Sequence, residues 1–130
     1  MIVVDSSVWA AHFNGDARAQ VARLDQALRA GEALAILPII LTEVLQGFRT
    51  EAGFRSAEVL MRQLSMLEPT VEQHVEAARL FRQLRQKGVT VRGAIDCVIA
   101  AVCIATGARL LTLDQDFRLI ARHTSLQLEA

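Results

Sequence analysis

The sequence predicts an α/β fold of three layers, in which a mostly parallel sheet is covered by helices on both faces. Short apolar runs alternate with longer segments of helical periodicity along the whole chain. This alternation predicts parallel strands joined by helical crossovers, which are right-handed because of the twist of the strands. Two of the apolar runs also end in an acidic residue, at the edge where open parallel sheets bind their ligands.

The first third of the chain predicts two strands separated by helices. Residues 2–4 form a β-branched run that stops at Asp5 and leads into a helix. Apolar residues then recur at helical spacing over residues 21–28, and Gly31 ends that helix. Residues 33–37 form the second predicted strand.

The middle of the chain is predominantly helical. Pro38 suits the start of a helix that continues over residues 39–47, and residues 54–64 carry the apolar stripe of another helix. Residues 66–68 predict a brief third strand. A long amphipathic helix follows over residues 71–87.

The last third of the chain contains the most apolar helix. Residues 94–105 are apolar except for Asp96, so this helix is predicted to be buried on all sides. A strand over residues 109–113 comes next, followed by a short helix over residues 115–122. The alternation in residues 125–128 predicts a weak final strand.

Length and composition indicate one domain over residues 1–130. Hydrophobic residues make up 52% of the chain and charged residues 22%, which is enough material for one packed core. No apolar run reaches the roughly 18 residues of a membrane helix, and no signal-type segment opens the chain, so a cytoplasmic protein is expected. Cys97 and Cys103 are too few for a disulfide framework and are predicted to be buried.

The charges balance, with 14 basic and 14 acidic side chains. No global positive field therefore marks a nucleic-acid binder, and any such binding must use local patches. Four basic residues precede Asp96 and offer a local track for a phosphate backbone, although a solvated helix face explains each of them separately: Arg82, Arg85, Lys87 and Arg92.

Four carboxylates, and a possible fifth, stand where a core-forming sequence would prefer other residues: Asp5, Glu43, Asp96, Asp114 and Asp116. Each has a structural explanation of its own. Asp5 and Asp114 could cap helices, Glu43 could be a solvated helical residue, and Asp96 and Asp116 could complement a helix dipole. Their joint placement at one edge of the sheet instead predicts a site.

Carboxylates brought together repel one another unless a cation neutralises them, so the cluster predicts a metal ion or strongly shifted ionisation. Donors that are all oxygen favour Mg²⁺ or Mn²⁺, whereas zinc would need cysteine or histidine. The three histidines are scattered without any paired spacing. Ser6 and Thr112 could orient the carboxylates, and ordinary capping and packing account for them equally well.

Four segments of the chain form a pattern that resembles a PIN domain, and more narrowly the VapC-type toxins of bacterial toxin–antitoxin pairs. They are Ile2-Val3-Val4-Asp5-Ser6-Ser7-Val8, Thr42-Glu43-Val44 after Pro38, Asp96 followed by Val98-Ile99-Ala100-Ala101, and Leu111-Thr112-Leu113-Asp114-Gln115-Asp116-Phe117. The resemblance spans essentially the whole chain, and the last segment is the most specific.

This resemblance implies an endoribonuclease that depends on Mg²⁺ or Mn²⁺. It implies that Asp5, Glu43, Asp96 and Asp114 form the catalytic acidic quartet, with Asp5, Asp96 and Asp114 as metal ligands and Asp116 as an auxiliary acid. It further implies a homodimer and a small antitoxin protein that covers the site.

Two other functions compete with the nuclease. A non-catalytic PIN-like regulatory or binding module could keep the acids for capping or for docking an arginine-rich partner. An aspartate phosphotransfer or phosphatase domain also places acids after parallel strands. The second alternative fits less well, because Ser7 stands where a haloacid-type site needs an acid and no lysine occurs late in the chain.

Overall fold

A parallel four-stranded sheet forms the centre of the computed structural model, which describes residues 1–129. The strands are short and run, in chain order, as β1 Ile2–Val4, β2 Leu34–Ile36, β3 Ser65–Met66 and β4 Arg109–Leu111. Their order across the sheet is β3-β2-β1-β4, and every neighbouring pair is parallel. The predicted parallel sheet is confirmed.

Seven helices flank this sheet in two layers, which confirms the predicted three-layer fold. They are α1 Ser6–Phe13, α2 Ala19–Ala30, α3 Pro38–Leu45, α4 Glu51–Arg62, α5 Val71–Gln86, α6 Ala94–Thr106 and α7 Gln115–His123. In one group α1 packs on α2 and α3, and α3 packs on α4; in the other, α6 packs on α5 and α7. None of the described helices combines the length and the apolar character that crossing a membrane requires.

The ends of these helices follow from local sequence. Gly31 and Gly107 end α2 and α6 in the left-handed conformation, with φ of 66° and 73°, which glycine adopts without steric cost. Thr70 and Gln73 form a reciprocal capping box at the start of α5. Pro38 occupies the first turn of α3, where no partner is needed for a backbone N–H.

The core lies between the sheet and both helical layers. Every residue of β1 and β2 is buried, as expected for strands that are covered on both faces, whereas the edge strand β3 is exposed. Trp9 and Phe117 are among the largest fully buried side chains. Among the described residues only Asp5 and Thr112 are both polar and buried, and both lie at the same edge of the sheet.

Several predicted boundaries differ from the observed ones. The strand expected at residues 66–68 lies at Ser65–Met66, and β2 and β4 each end earlier than predicted. The strand predicted at residues 125–128 is only an isolated bridge, because this segment pairs with β4 through Leu110 alone. Helix α6 is also not buried on all sides, since Ile95 and Ile104 are 43% and 37% exposed.

The topology directs attention to the carboxyl ends of β1 and β4. From β1 the chain moves outward through β2 to β3, and it then crosses to the opposite side of β1 to form β4. The strand order therefore reverses between β1 and β4. The connections leaving these two strands diverge to opposite faces, which opens a crevice where such folds bind ligands.

Candidate active site

All five predicted acids lie on elements that start or pass at the carboxyl edge of the sheet. Asp5 directly follows β1, and Asp114 follows β4 as the residue before α7. Because Val4 is paired with Leu111, the two strands end level with each other, so both acids follow strands that end at the same edge of the sheet. Glu43 lies in α3, and Asp96 and Asp116 occupy the first turns of α6 and α7.

Three of these side chains converge closely enough to share one ion. Asp96, Asp114 and Asp116 each offer a carboxylate oxygen, and the three oxygens lie within 4.8 Å of one another. All three residues are partly buried. Asp114 also caps α7, since its carboxylate accepts a hydrogen bond from the Asp116 amide at 2.9 Å. Asp114 therefore both caps a helix and belongs to the acidic cluster.

Asp5 is held differently from the other acids. It occupies the residue position before α1, yet its side chain makes no capping hydrogen bond. Its Oδ2 accepts instead from the hydroxyls of Ser7, at 2.6 Å, and Thr112, at 3.0 Å. Only 4% of Asp5 is exposed. Capping therefore does not explain this buried carboxylate, and two hydroxyls fix its orientation.

The same two hydroxyls join the ends of β1 and β4. Thr112 Oγ1 accepts from the Asp114 amide at 3.0 Å, and Ser7 Oγ accepts from the Leu113 amide at 3.0 Å. Each hydroxyl thus donates to Asp5 while it accepts from the backbone that carries Asp114. This arrangement couples the position of one acid to that of the other.

Glu43 faces the cluster from α3. Burial raises the pKa of its carboxyl, and the negative charge of Asp5 raises it further, while a hydrogen bond from Ser6 opposes the rise. Ser6 thus influences the pKa of Glu43, whereas the adjacent Ser7 donates to Asp5.

The charges of the other four acids all affect the pKa of Asp96. Burial is the largest cause that raises its pKa, to about 6, and the charges of Asp114, Asp5, Asp116 and Glu43 add to the effect in that order. The five carboxylates therefore share one electrostatic environment with an excess of negative charge. Such a set of oxygen donors fits a hard divalent cation, which would relieve the repulsion.

A guanidinium lies on the open side of this cluster. Nη2 of Arg92 donates to both carboxylate oxygens of Asp114, at 3.1 and 2.9 Å, and its Nε donates to Oδ2 of Asp116 at 3.2 Å. The Arg92 amide donates to the same Asp116 oxygen at 3.2 Å. The arginine side chain is 79% exposed.

The structure thus places every predicted site residue at one edge of the sheet, although not with equal contacts. The converging trio contains Asp116, which was predicted as an auxiliary acid, whereas Asp5 lies behind it in the hydroxyl network. Sequence reasoning missed Ser7 as a partner of Asp5, and it named Arg92 only as part of a basic run. The spacing of Ser7 two residues after a strand-terminal acid was the available signal for the first; no local signal identified the second.

Comparison with known families and curated proteins gives consistent matches. The family model described as the PIN domain matches residues 2–123. VapC ribonuclease Mb1587 of Mycobacterium bovis is 36% identical over 135 aligned positions, which cover 98% of this chain and 96% of that protein. Ribonuclease VapC11 of Mycobacterium tuberculosis matches with the same identity and the same coverage.

Solved structures share the fold at lower sequence identity. VapBC2 from Rickettsia felis, determined with a DNA fragment from its promoter, superposes with a TM-score of 0.78 at 22% identity and covers 99% of this chain and 98% of that one. VapC20 from Mycobacterium tuberculosis, described as a sarcin-ricin loop cleaving toxin, has a TM-score of 0.65 at 19% identity, with 91% and 93% covered. These likenesses extend over nearly the whole chain.

Proposed function

Because this chain belongs to the PIN-domain family and, within it, to the VapC ribonucleases, we propose that it is a divalent-metal-dependent endoribonuclease. It hydrolyses RNA phosphodiesters through the carboxylates at the β1/β4 crevice and acts as the toxin of a toxin–antitoxin pair. The observation that carries this proposal is the excess of acids there: five carboxylates share one environment, and the guanidinium of Arg92 pairs with two of them. An ordinary folded protein has no reason to concentrate such repulsion unless a cation completes the site.

The roles of the individual residues follow from their contacts. The proposed ligands are Asp5, Asp96 and Asp114, with Asp116 as an auxiliary acid whose oxygen converges with the last two. The all-oxygen donor set favours Mg²⁺ or Mn²⁺. The chemistry supplied by a bound cation would be polarisation of a phosphoryl oxygen and activation of a water molecule.

The protein side chains would position the reactants around that cation. Ser7 and Thr112 hold Asp5 in one orientation, so its carboxylate is placed before any ligand arrives. The raised pKa of Glu43 makes its carboxylate a suitable acceptor for the proton that an attacking water must lose. Ser6 would keep the Glu43 side chain directed at the site.

The proposed activity is tested by digesting defined structured RNAs with the purified protein. Cleavage should occur with Mg²⁺ or Mn²⁺ and cease in excess chelator, and mapping of the ends should show internal cuts. Protein with the single substitution Asp114→Asn, purified in parallel, controls for a contaminating nuclease. Equal cleavage in chelator, or equal cleavage by the variant, would contradict the proposal. Metal-independent behaviour would instead favour a non-catalytic binding module.

The partners we propose are an RNA substrate, a small antitoxin protein and a second copy of the chain. Support comes from the curated relatives, which are named as VapC ribonucleases, and from the solved VapBC complexes. We expect this toxin to act in the cytoplasm. Expression of the active chain alone should arrest growth, whereas Asp114→Asn should be tolerated. Normal growth with soluble, nuclease-active protein would remove the toxin role and leave the nuclease.

A further inference from the structure

Arg92 occupies the carboxylate oxygens that the proposed metal site needs. Its guanidinium contacts both oxygens of Asp114 and one oxygen of Asp116, and these two residues supply two of the three converging donors. Because both oxygens of Asp114 are engaged, a divalent cation that binds this carboxylate competes with the guanidinium. The guanidinium is in effect a tethered cation that neutralises part of the cluster.

The backbone of Arg92 is anchored, whereas its side chain lies mostly in solvent. Val91 is buried in the core, only 3% exposed, and the Arg92 amide is bonded to Asp116. The guanidinium itself lies in solvent, with 79% of the side chain exposed. Exposed ion pairs of this kind contribute little to stability, so the contact can be broken at small cost.

A displaced guanidinium stays beside the cluster, because the Arg92 backbone is held at its rim. A phosphodiester that approaches the proposed cation brings unshared anionic oxygens to the same place. The planar fork of arginine donates to phosphate oxygens as readily as to carboxylates, and more directionally than lysine does. The group released from Asp114 and Asp116 is therefore positioned to bind the substrate.

We propose that Arg92 is an RNA-binding residue that exchanges partners: it neutralises Asp114 and Asp116 before metal binds, and it turns to the substrate phosphate once a divalent cation occupies the oxygens of Asp114. This inference rests on the proposed function, since it assumes a metal at these carboxylates. Arg92, which lies outside the acidic quartet, would thus weaken metal binding and strengthen RNA binding.

The signature of this exchange is a pair of opposite changes in Arg92→Ala. Removal of the competing cation should tighten Mn²⁺ binding about two- to fivefold, measured by calorimetry without RNA. Removal of a phosphate contact should weaken binding of a labelled stem-loop RNA about tenfold in saturating Mn²⁺. RNA binding is measured by anisotropy in the Glu43→Gln background, so that turnover does not interfere.

Two further variants separate this role from loss of charge alone. Arg55 is a matched control, since it is 75% exposed and its Nε donates to the Glu51 carboxylate at 3.1 Å on α4. Arg55→Ala should change neither affinity. Arg92→Lys should restore Mn²⁺ affinity to near the wild-type value while it recovers RNA binding only in part, because the lysine retains charge and lacks the fork.

The dependence of RNA affinity on salt gives an independent readout. Loss of one phosphate contact should reduce the slope of log affinity against log salt by about 0.7 to 0.9, which a purely structural arginine would not do. Mn²⁺ binding that is unchanged or weaker in Arg92→Ala, or RNA binding equal to that of the control, would overturn the exchange. Failure of the wild-type protein to cleave RNA would contradict the proposed nuclease activity instead. The affinities for Mn²⁺ and for RNA are both measured without turnover, so they test the exchange separately.

Discussion

The two ends of β4 carry charged clusters of different composition. At its amino end, Arg109 pairs with Glu129 at 2.7 Å, and Arg23 joins Glu129 at 3.1 Å to Glu32 at 2.7 Å. Two guanidiniums there meet two carboxylates. At the carboxyl end of the same strand, Asp114 shares its surroundings with four other acids, and Arg92 is the guanidinium that faces them.

The pKa values of the carboxyl groups shift in opposite directions in the two clusters. At the amino end, hydrogen bonding to Arg23 lowers the pKa of Glu32, so folding favours the charged carboxylate. At the carboxyl end, burial and the neighbouring acids raise the pKa of Asp96 and of Glu43, so folding opposes their charge. The first cluster is complete within the chain and serves the fold. The second keeps an excess of negative charge that an added cation would neutralise, as expected of a binding site.

Neutralising a single carboxylate should have opposite consequences at the two ends. Asp114→Asn should reduce kcat/KM for RNA cleavage on the order of 100-fold or more, because changes that merely reorient metal ligands already cost roughly 10- to 100-fold. Glu32→Gln should change cleavage less than about twofold, since its charge lies at the far end of the strand. Both proteins should fold, as judged by circular dichroism and melting.

The same assay ranks the remaining acids. Asp5→Asn, Glu43→Gln and Asp96→Asn should be as severe as Asp114→Asn, and Asp116→Asn should be milder. Unimpaired cleavage by the Asp5 or Asp96 variant would remove that residue from the proposed metal site. Loss of activity in Glu32→Gln would show that the cluster at the amino end of β4 also contributes to cleavage.

The sequence predicted this edge because its signals are local. Asp5 and Asp114 each follow a β-branched or apolar run, and Asp96 is the one charge in an apolar helix; both patterns are visible without any structure. Parallel topology then brings the acids together, since all strands point the same way. The arrangement of layers and the acidic cluster were therefore accessible from the amino-acid pattern alone.

What the sequence could not predict depends on side-chain direction and loop path. Ser6 and Ser7 are neighbours, yet successive helical side chains diverge: Ser7 donates to Asp5, whereas Ser6 lowers the pKa of Glu43. Arg92 meets Asp114 across 22 residues because of the path taken between α5 and α6. The hydrophobic alternation around Leu126 predicted a strand. It instead reflects the burial of Leu126, and the segment forms only one isolated bridge with β4.

Thr112→Val should test whether the carboxyl end depends on the hydroxyl network. Valine keeps the shape of threonine but leaves the Asp114 amide without its acceptor and Asp5 with one donor fewer. Cleavage should fall about tenfold or more, and the free energy of unfolding should drop by about 1–3 kcal/mol. Thr106→Val, which removes a hydroxyl bonded within the end of α6, is the matched control and should leave cleavage unchanged. Equal effects in the two variants would show that Thr112 contributes only to packing.

The smallest effect we expect is on the melting temperature of Asp96→Asn without metal. The raised pKa of Asp96, about 6, means that the folded protein holds this proton more tightly than the unfolded chain, whose ordinary value is 3.8. Below the unfolded value the carboxyl is neutral in both states and resembles asparagine. As pH rises from there through about 6, ionisation of Asp96 destabilises the folded state.

In chelator, the variant should therefore melt a few degrees above the wild type near neutral pH, and the difference should shrink as the pH is lowered through about 6. Millimolar Mn²⁺ should raise the melting temperature of the wild type by mass action, and it should raise that of the variant less, because one proposed ligand is lost.

Glu32→Gln should show a pH dependence of the opposite sign. The pKa of Glu32 is lowered in the folded protein, so its charged carboxylate stabilises the fold above the ordinary value of 4.5. This contribution is lost as pH falls through the lower folded value. Melting curves of the three proteins, recorded across this range with and without Mn²⁺, separate the two ends of β4. The contrary outcome is that Asp96→Asn melts below the wild type in chelator at neutral pH and responds fully to Mn²⁺. Asp96 would then be a structural residue stabilised by the dipole of α6, and the metal would bind elsewhere.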